Sequence, residues 1–102
     1  MSELIPKEVK KQIPSLYATE NQNNPTVFVK LFLDSWTWYI TELSIDGDIG
    51  FGYVVSQFGA EFGYFSLEEI KNIKGTLGIG VERDFEFKPT KLSIIKKAAS
   101  RC

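Results

Sequence analysis

Acidic side chains cluster late in the chain at Glu82, Asp84 and Glu86, with Arg83 between the first two. Alternate residues of an extended strand point to the same face, so the three carboxylates are expected on one side. Such a row can bind a divalent cation and act as general acid or base, which would indicate a metal-dependent, hydrolase-like enzyme. The alternative is the solvated side of an edge strand, where charge discourages strand pairing. Arg83 would then lie on the apolar face and need a carboxylate partner from elsewhere.

A second acidic group consists of Asp46 and Asp48 around Gly47, with Glu42 nearby. A calcium loop of the helix-loop-helix type needs more oxygen ligands at fixed spacing, so we interpret Asp46-Gly47 as a hairpin turn. The chain has no histidine, and its one cysteine, Cys102, is the last residue. Histidine bases, cysteine–histidine pairs and ordinary zinc sites are therefore excluded. We assign no catalytic residue, no metal and no cofactor, and expect a protein that is not an enzyme.

The elements that position these residues predict an α+β fold, in which an antiparallel meander of four or five strands packs with two or three short helices. Runs of β-branched and aromatic residues between turn signals predict strands over 26–33, 36–42, 49–55, 61–65 and 81–88. Apolar spacing and capping signals predict helices over 2–12, 67–74 and 91–99. A capping box at Ser66 and Glu69 begins the second helix, whose buried stripe is Leu67, Ile70 and Ile73.

The first hairpin turns at Asp34-Ser35, which pairs Leu33 with Trp36 and Val29 with Ile40. Cross-strand partners share a face, so the core side is uniformly apolar. The opposite side is mixed and is our candidate binding face: Phe28, Lys30, Phe32, Thr37, Tyr39 and Thr41. Aromatic rings on an exposed sheet can stack on nucleic-acid bases. The alternative is that a helix covers this face and the rings belong to the core.

The second hairpin decides which face the next strand presents. A two-residue loop at Asp46-Gly47 places Ile40 opposite Tyr53, so that Phe51, Tyr53 and Val55 continue the core face. A three-residue loop would reverse the strand, because a shift of one residue exchanges the two faces.

Composition limits the function classes. The 102 residues suit one domain, 1–102, with ends expected to fray at 1–2 and 99–102. Hydrophobic residues make up 43% and charged residues 25% of the chain, which is typical of a soluble domain. The net charge of -1 does not favour binding driven by phosphate charge alone. The charged start and the lack of a long apolar run indicate a cytoplasmic protein without a membrane partner.

Five short motifs run through most of the chain: Leu16-Tyr17-Ala18-Thr19-Glu20, Trp36-Thr37-Trp38-Tyr39, Phe51-Gly52-Tyr53-Val54, Gly63-Tyr64-Phe65-Ser66-Leu67 and Val81-Glu82-Arg83-Asp84. With them, the chain resembles the bacterial family known as domain of unknown function 2958, from the first helix to about Leu92. Members are often encoded on plasmids and other mobile elements. The resemblance implies an accessory role near DNA transfer, replication or defence evasion, and it supplies no catalytic residues.

Three hypotheses follow. The first is a small binding or regulatory protein that engages a macromolecule, either a protein or a nucleic acid, through an aromatic sheet face or edge. The second is the hydrolase-like enzyme, which requires Glu82, Asp84 and Glu86 to converge in a cleft. The third is a structural module in which the mixed face forms a homodimer.

Overall fold

The computed structural model describes residues 4–99 and has an α+β fold. Its elements in chain order are α1 (Lys7–Lys10), β1 (Thr26–Val27), β2 (Val29–Leu33), β3 (Trp36–Leu43), β4 (Ile49–Ser56), β5 (Gly59–Ser66), α2 (Leu67–Lys71), a 3₁₀ turn (Thr76–Gly78), β6 (Glu82–Arg83), β7 (Thr90–Lys91) and α3 (Leu92–Ala99). The main sheet is antiparallel with strand order β5-β4-β3-β2-β6, and β1 pairs with β7 in a second, two-stranded sheet. The predicted fold class is confirmed.

The first hairpin has the predicted register, with Leu33 opposite Trp36 and Val29 opposite Ile40. Its turn requires Asp34 to adopt a φ of 51°. Aspartate tolerates this left-handed conformation better than most residues, since its short side chain bonds locally. A turn without glycine therefore still closes the hairpin.

The second hairpin begins in the predicted register and then departs from it. Leu43 lies opposite Gly50 and Glu42 opposite Phe51, as a two-residue loop at Asp46-Gly47 requires. The register then shifts by one residue, so that Ile40 lies opposite Gly52 instead of Tyr53. Thr41 is the extra residue of a β-bulge, and a bulge exchanges the faces of everything beyond it.

The predicted faces of β4 are therefore wrong. Phe51, Tyr53 and Val55 lie on the side of the sheet opposite Ile40, and Gly52 and Val54 lie on the core side. The bulge also has a physical reason. Without it, the Glu42 carboxylate would share a face with Ile40 in the apolar core, where an unpaired charge is costly.

The main core lies on one side of the sheet, where α1 and α2 pack. Its buried members come from strands, helices and the segments that flank them: Ile5, Ile13, Val29, Leu31, Leu33, Trp38, Ile40, Leu43, Leu67, Ile70 and Val81. On the other side, Leu92 and Ile95 of α3 bury themselves against Val27. That second cluster covers Tyr39 and Tyr53 in part. The rest of this side carries no helix among residues 4–99.

The helix α2 begins at its predicted cap and ends early. The Ser66 hydroxyl accepts from the Glu69 amide at 3.2 Å, and the Asp48 carboxylate accepts from the Glu68 amide at 2.9 Å. The hairpin loop thus adds a cap that the local sequence pattern does not indicate. The helix ends at Lys71 instead of 74, so Ile73 is exposed instead of completing the buried stripe.

Other elements are shorter than predicted. The first helix, predicted over 2–12, spans only Lys7–Lys10 of the described residues, with Pro6 at its N-cap, and the predicted positions 2 and 3 lie outside the described residues. The strand predicted over 26–33 breaks at Phe28 into β1 and β2. The strand predicted over 81–88 shrinks to Glu82–Arg83. The ends predicted to fray lie outside the described residues, except for Ala99, which closes α3. None of the described helices is long and apolar enough to cross a membrane.

Candidate functional site

The late acidic row does not form a cleft. Asp84 follows β6 at the start of a turn, where its carboxylate accepts from the Glu86 amide at 3.0 Å and lies 3.9 Å from the Lys30 ammonium. Glu82 is exposed on the edge strand. The Arg83 guanidinium lies 4.6 Å from the centre of the Phe85 ring, which replaces the carboxylate partner expected for it. Within residues 4–99, no three acidic side chains are grouped so that they could hold a metal ion.

The earlier acidic group is a hairpin turn. The Asp46 carboxylate accepts from the Asp48 amide at 3.0 Å and from the Ser44 hydroxyl. These two donors, the Ser44 hydroxyl first, lower the pKa of the Asp46 carboxyl below its ordinary value. The turn is closed by local hydrogen bonds and needs no cation.

The six residues of the predicted binding face do not share one surface. Phe28 packs against the main core on the opposite side of the sheet, at the break between β1 and β2. Thr41 is fully buried at the bulge, and its hydroxyl donates to the Phe51 carbonyl at 3.1 Å. Lys30, Phe32 and Thr37 stay on the expected side, with Phe32 exposed and the other two half-buried.

Tyr39 is half-buried beneath α3. Its ring lies 6.4 Å from Phe87, and the Lys30 ammonium lies 6.0 Å from its centre. Burial, followed by the charge of Asp84, raises the pKa of the Tyr39 hydroxyl. The alternative stated for this face, a helix over the rings, thus applies to Tyr39.

Aromatic rings gather instead on β4 and β5, on the same side of the sheet as α3. Tyr53 lies opposite Phe62 and Phe51 opposite Tyr64, and both pairs are in ring contact at 5.3 Å and 4.7 Å. Phe51 also stacks on Phe62 at 6.0 Å with the planes 13° apart. Two of the rings remain open to solvent, since Phe62 is 45% and Tyr64 55% exposed. We call Phe51, Tyr53, Phe62 and Tyr64 the ring row.

A cation lies beside the ring row. The Lys96 ammonium on α3 is 5.0 Å from the centre of Tyr53 and 5.1 Å from that of Phe62, within the range of a cation–π contact. This lysine belongs to a basic segment that contains no acidic residue: Lys88, Lys91, Lys96, Lys97 and Arg101. The buried residues Leu92 and Ile95 fix α3 on the sheet and so hold Lys96 near the rings.

The segment around Tyr17 forms the opposite wall of a cleft of about 510 Å³. The Glu42 carboxylate, only 2% exposed, accepts from the Tyr17 amide at 2.8 Å, from the Thr19 amide at 2.9 Å and from the Thr19 hydroxyl. These bonds hold Tyr17 at a φ of 71°, a left-handed conformation that is costly for an aromatic residue. The Tyr17 ring lies 6.4 Å from Tyr64 and is 61% exposed.

The cleft has limited acid–base capacity but ample ring surface. Local desolvation, then the hydrogen bond with Tyr17 and nearby negative charge, raises the pKa of the Tyr64 hydroxyl, so it stays neutral at physiological pH. The Glu42 carboxylate already accepts three hydrogen bonds from the Tyr17–Thr19 segment. What the cleft can offer a ligand is exposed ring faces, hydroxyl groups and the Lys96 ammonium.

Sequence reasoning missed most of this site. It placed Phe51 and Tyr53 in the core because it did not include the bulge, and it did not connect Tyr17 with Tyr64, which are far apart in sequence. One signal was readable: the run of lysines without an acidic residue around Lys96.

Comparisons with known proteins show a family but no function. A family described as "Protein of unknown function (DUF2958)" matches residues 4–102. Neither the curated proteins nor the solved structures contain a significant match.

Proposed function

Since the chain belongs to the DUF2958 family, whose description names no activity, we propose from the cleft that it is a non-enzymatic protein that binds single-stranded nucleic acid. The observation that carries the proposal is the ring row, in which Phe62 and Tyr64 expose ring surface beside the Lys96 ammonium. A protein that binds single strands needs ring faces for the bases and cations for the backbone. Both are present on one side of one sheet.

The rings supply most of the expected affinity. Stacking of one base on an aromatic side chain contributes about 1–3 kcal/mol, and it tolerates any base because every base has a π face. Phe62 and Tyr64 lie on alternate positions of β5, so their side chains are about 7 Å apart along the strand. Neighbouring bases splayed from a single strand would each find a ring.

The charge of the protein limits the expected affinity for nucleic acid. The net charge of -1 means that no general positive field attracts the ligand. Lys96 supplies a local positive charge beside the ring row, whereas Glu20 and Glu42 lie on the Tyr17 side of the cleft. With about two phosphate contacts, the logarithm of the binding constant should fall with the logarithm of salt concentration with a slope of about -1.4. We expect a dissociation constant on the order of 10 µM for a short strand.

A single-strand-binding role is consistent with the accessory role on mobile genetic elements that the family resemblance implies, since DNA transfer and replication expose single strands. The cytoplasmic location is part of the same proposal.

The test is fluorescence anisotropy of a labelled oligothymidine titrated with the protein at low and moderate salt. Phe62→Ala and Tyr64→Ala should each weaken binding about tenfold, because each removes one stacking surface. Lys96→Gln should reduce the salt slope by about 0.7, the value of one phosphate contact on a single strand.

Phe85→Ala is the matched control. Phe85 is also a highly exposed aromatic residue, but it lies beyond β6, at the other edge of the sheet. The Phe85→Ala variant should bind the oligothymidine as tightly as the wild type does. Loss of binding in Phe85→Ala equal to that in Tyr64→Ala would contradict the proposal. The absence of saturable binding at a protein concentration about ten times the expected dissociation constant would also contradict it. The ring row would then be assigned to a protein partner.

A further inference from the structure

The outer edge of β5 is long and unprotected. This strand is outermost in the sheet of the described chain and spans eight residues, Gly59–Ser66. It contains no proline and no lysine, and Glu61 is its only charged residue. Its pairing with β4 runs without a bulge from Ser56 opposite Gly59 to Ile49 opposite Ser66. Alternate residues of such a strand direct their amide and carbonyl groups outward, where they can pair with another strand.

The other edge of the same sheet is protected. There β6 has only two residues, Glu82 and Arg83, and both are charged. The turn that follows leads the chain away from the sheet, with Asp84 paired to Lys30. Short, charged edge strands discourage edge-to-edge pairing. The contrast indicates that the bare edge of β5 serves as an interface.

We propose that β5 pairs antiparallel with β5 of a second copy of this chain, about a two-fold axis at Gly63. This register places Phe62 opposite Tyr64 of the second copy, twice, because the contact is symmetric. Cross-strand aromatic pairs stabilise a sheet by about 0.2–1 kcal/mol each. The two main sheets then join into one continuous sheet of ten strands.

Charge and space favour this register. An axis at Glu61 would place two carboxylates directly opposite each other, which is destabilising. With the axis at Gly63, each Glu61 lies opposite Phe65 of the second copy, and the two charges are apart. Gly63 has open space around it, since a Cβ built there meets no atom within 4 Å. Side chains at the axis would therefore have room on the face of the sheet.

Both faces of β5 have room for a second copy. On the α3 side, the ring row would continue from Phe62 to Tyr64 of the second copy. On the core side, an open cleft of about 540 Å³ lies beside Trp36, Trp38 and Gly63. This inference does not rest on nucleic-acid binding, because the edge groups and the ring faces are different surfaces of the strand.

The test is sedimentation equilibrium without nucleic acid, in a Cys102→Ser background that prevents a disulfide-linked dimer. An edge interface is at the small end of specific interfaces, so the expected dissociation constant is on the order of 10 µM. Gly63→Lys should weaken the dimer at least about tenfold, because the two ammonium groups would face each other across the axis. Gly63→Val, at the same position, should keep or strengthen it, because valine favours strands.

A Cβ at Gly63 meets no atom within 4 Å, so we expect the monomer to fold with either substitution, and urea denaturation checks this. The proposal is overturned if the wild-type protein is monomeric at a protein concentration about ten times the expected dissociation constant. It is also overturned if the Gly63→Lys variant dimerises as tightly as Gly63→Val. A Gly63→Lys monomer that still binds oligothymidine would separate this interface from the proposed function.

Discussion

Replacement of Glu42 by glutamine should loosen the wall of the cleft that carries Tyr17. The carboxylate accepts two backbone amides and one hydroxyl from the segment around Tyr17 and Thr19, and it is buried. Glutamine has nearly the same shape, but one of its two terminal atoms is an NH₂ group, which would point its hydrogens at donors. Hydrogen bonds to a charged group contribute about 1.5–3 kcal/mol each, so loss of one bond with partial loss of another predicts destabilisation by about 2–3 kcal/mol.

This loss would be a large part of the free energy of unfolding, which is about 5–15 kcal/mol for a domain of this kind. Urea denaturation followed by the fluorescence of Trp36 and Trp38 measures it, since both lie in the hairpin that includes β3. The released segment should also be cut faster by chymotrypsin at Tyr17, whose left-handed conformation would no longer be held.

Glu20→Gln is the matched control. Glu20 lies in the same segment, but it is exposed, so its neutralisation should change stability by less than about 0.5 kcal/mol. The reasoning would be refuted if Glu42→Gln unfolded within about 0.5 kcal/mol of the wild type, or if Glu20→Gln lost as much stability.

Three other substitutions or titrations test the structure. Gly52→Ala should destabilise by about 2–4 kcal/mol in urea denaturation, because its Cβ would lie 1.9 Å from the Tyr39 carbonyl oxygen, whereas Gly63→Ala, in open space, should be neutral or slightly stabilising. The pKa of the Asp46 carboxyl is lower in the folded state than in the unfolded state. The ionised carboxylate therefore stabilises the fold above the unfolded pKa, and this stabilisation is lost as the pH falls. Asp46→Asn should therefore lower the thermal midpoint at neutral pH but not below about pH 3. The pKa of Tyr39 is raised, so the folded state holds this proton longer; stability should fall above about pH 10, and by less in Tyr39→Phe.

Local patterns were sufficient wherever neighbours in sequence are also partners in space. The first hairpin was predicted to the residue because its turn is short and its apolar residues alternate. The start of α2 at Ser66 and the closing helix over 91–99 were also predicted, since helix caps and helical spacing act within a few residues.

The bulge at Thr41 could not be predicted from local sequence patterns. Its cause is the Glu42 carboxylate, which leaves the core face to meet amides more than twenty residues earlier in the chain. One extra residue then reverses β4, so a register that was predicted correctly beside the turn led to the wrong face for Phe51 and Tyr53. Of the candidate binding face, the bulge buried Thr41, whereas Phe28 left that face at the break between β1 and β2 and Tyr39 is partly covered by α3.

By itself, the sequence determined an α+β fold with an antiparallel meander, the first hairpin and the absence of histidine and paired cysteine chemistry. Only the tertiary structure decided where a ligand could bind. The cleft combines Tyr17 before the sheet, the rings of Phe51, Phe62 and Tyr64 on β4 and β5, and Lys96 on the last helix. No local rule connects these segments, because they meet only when the buried Glu42 and the apolar side of α3 fix them on the same face of the sheet.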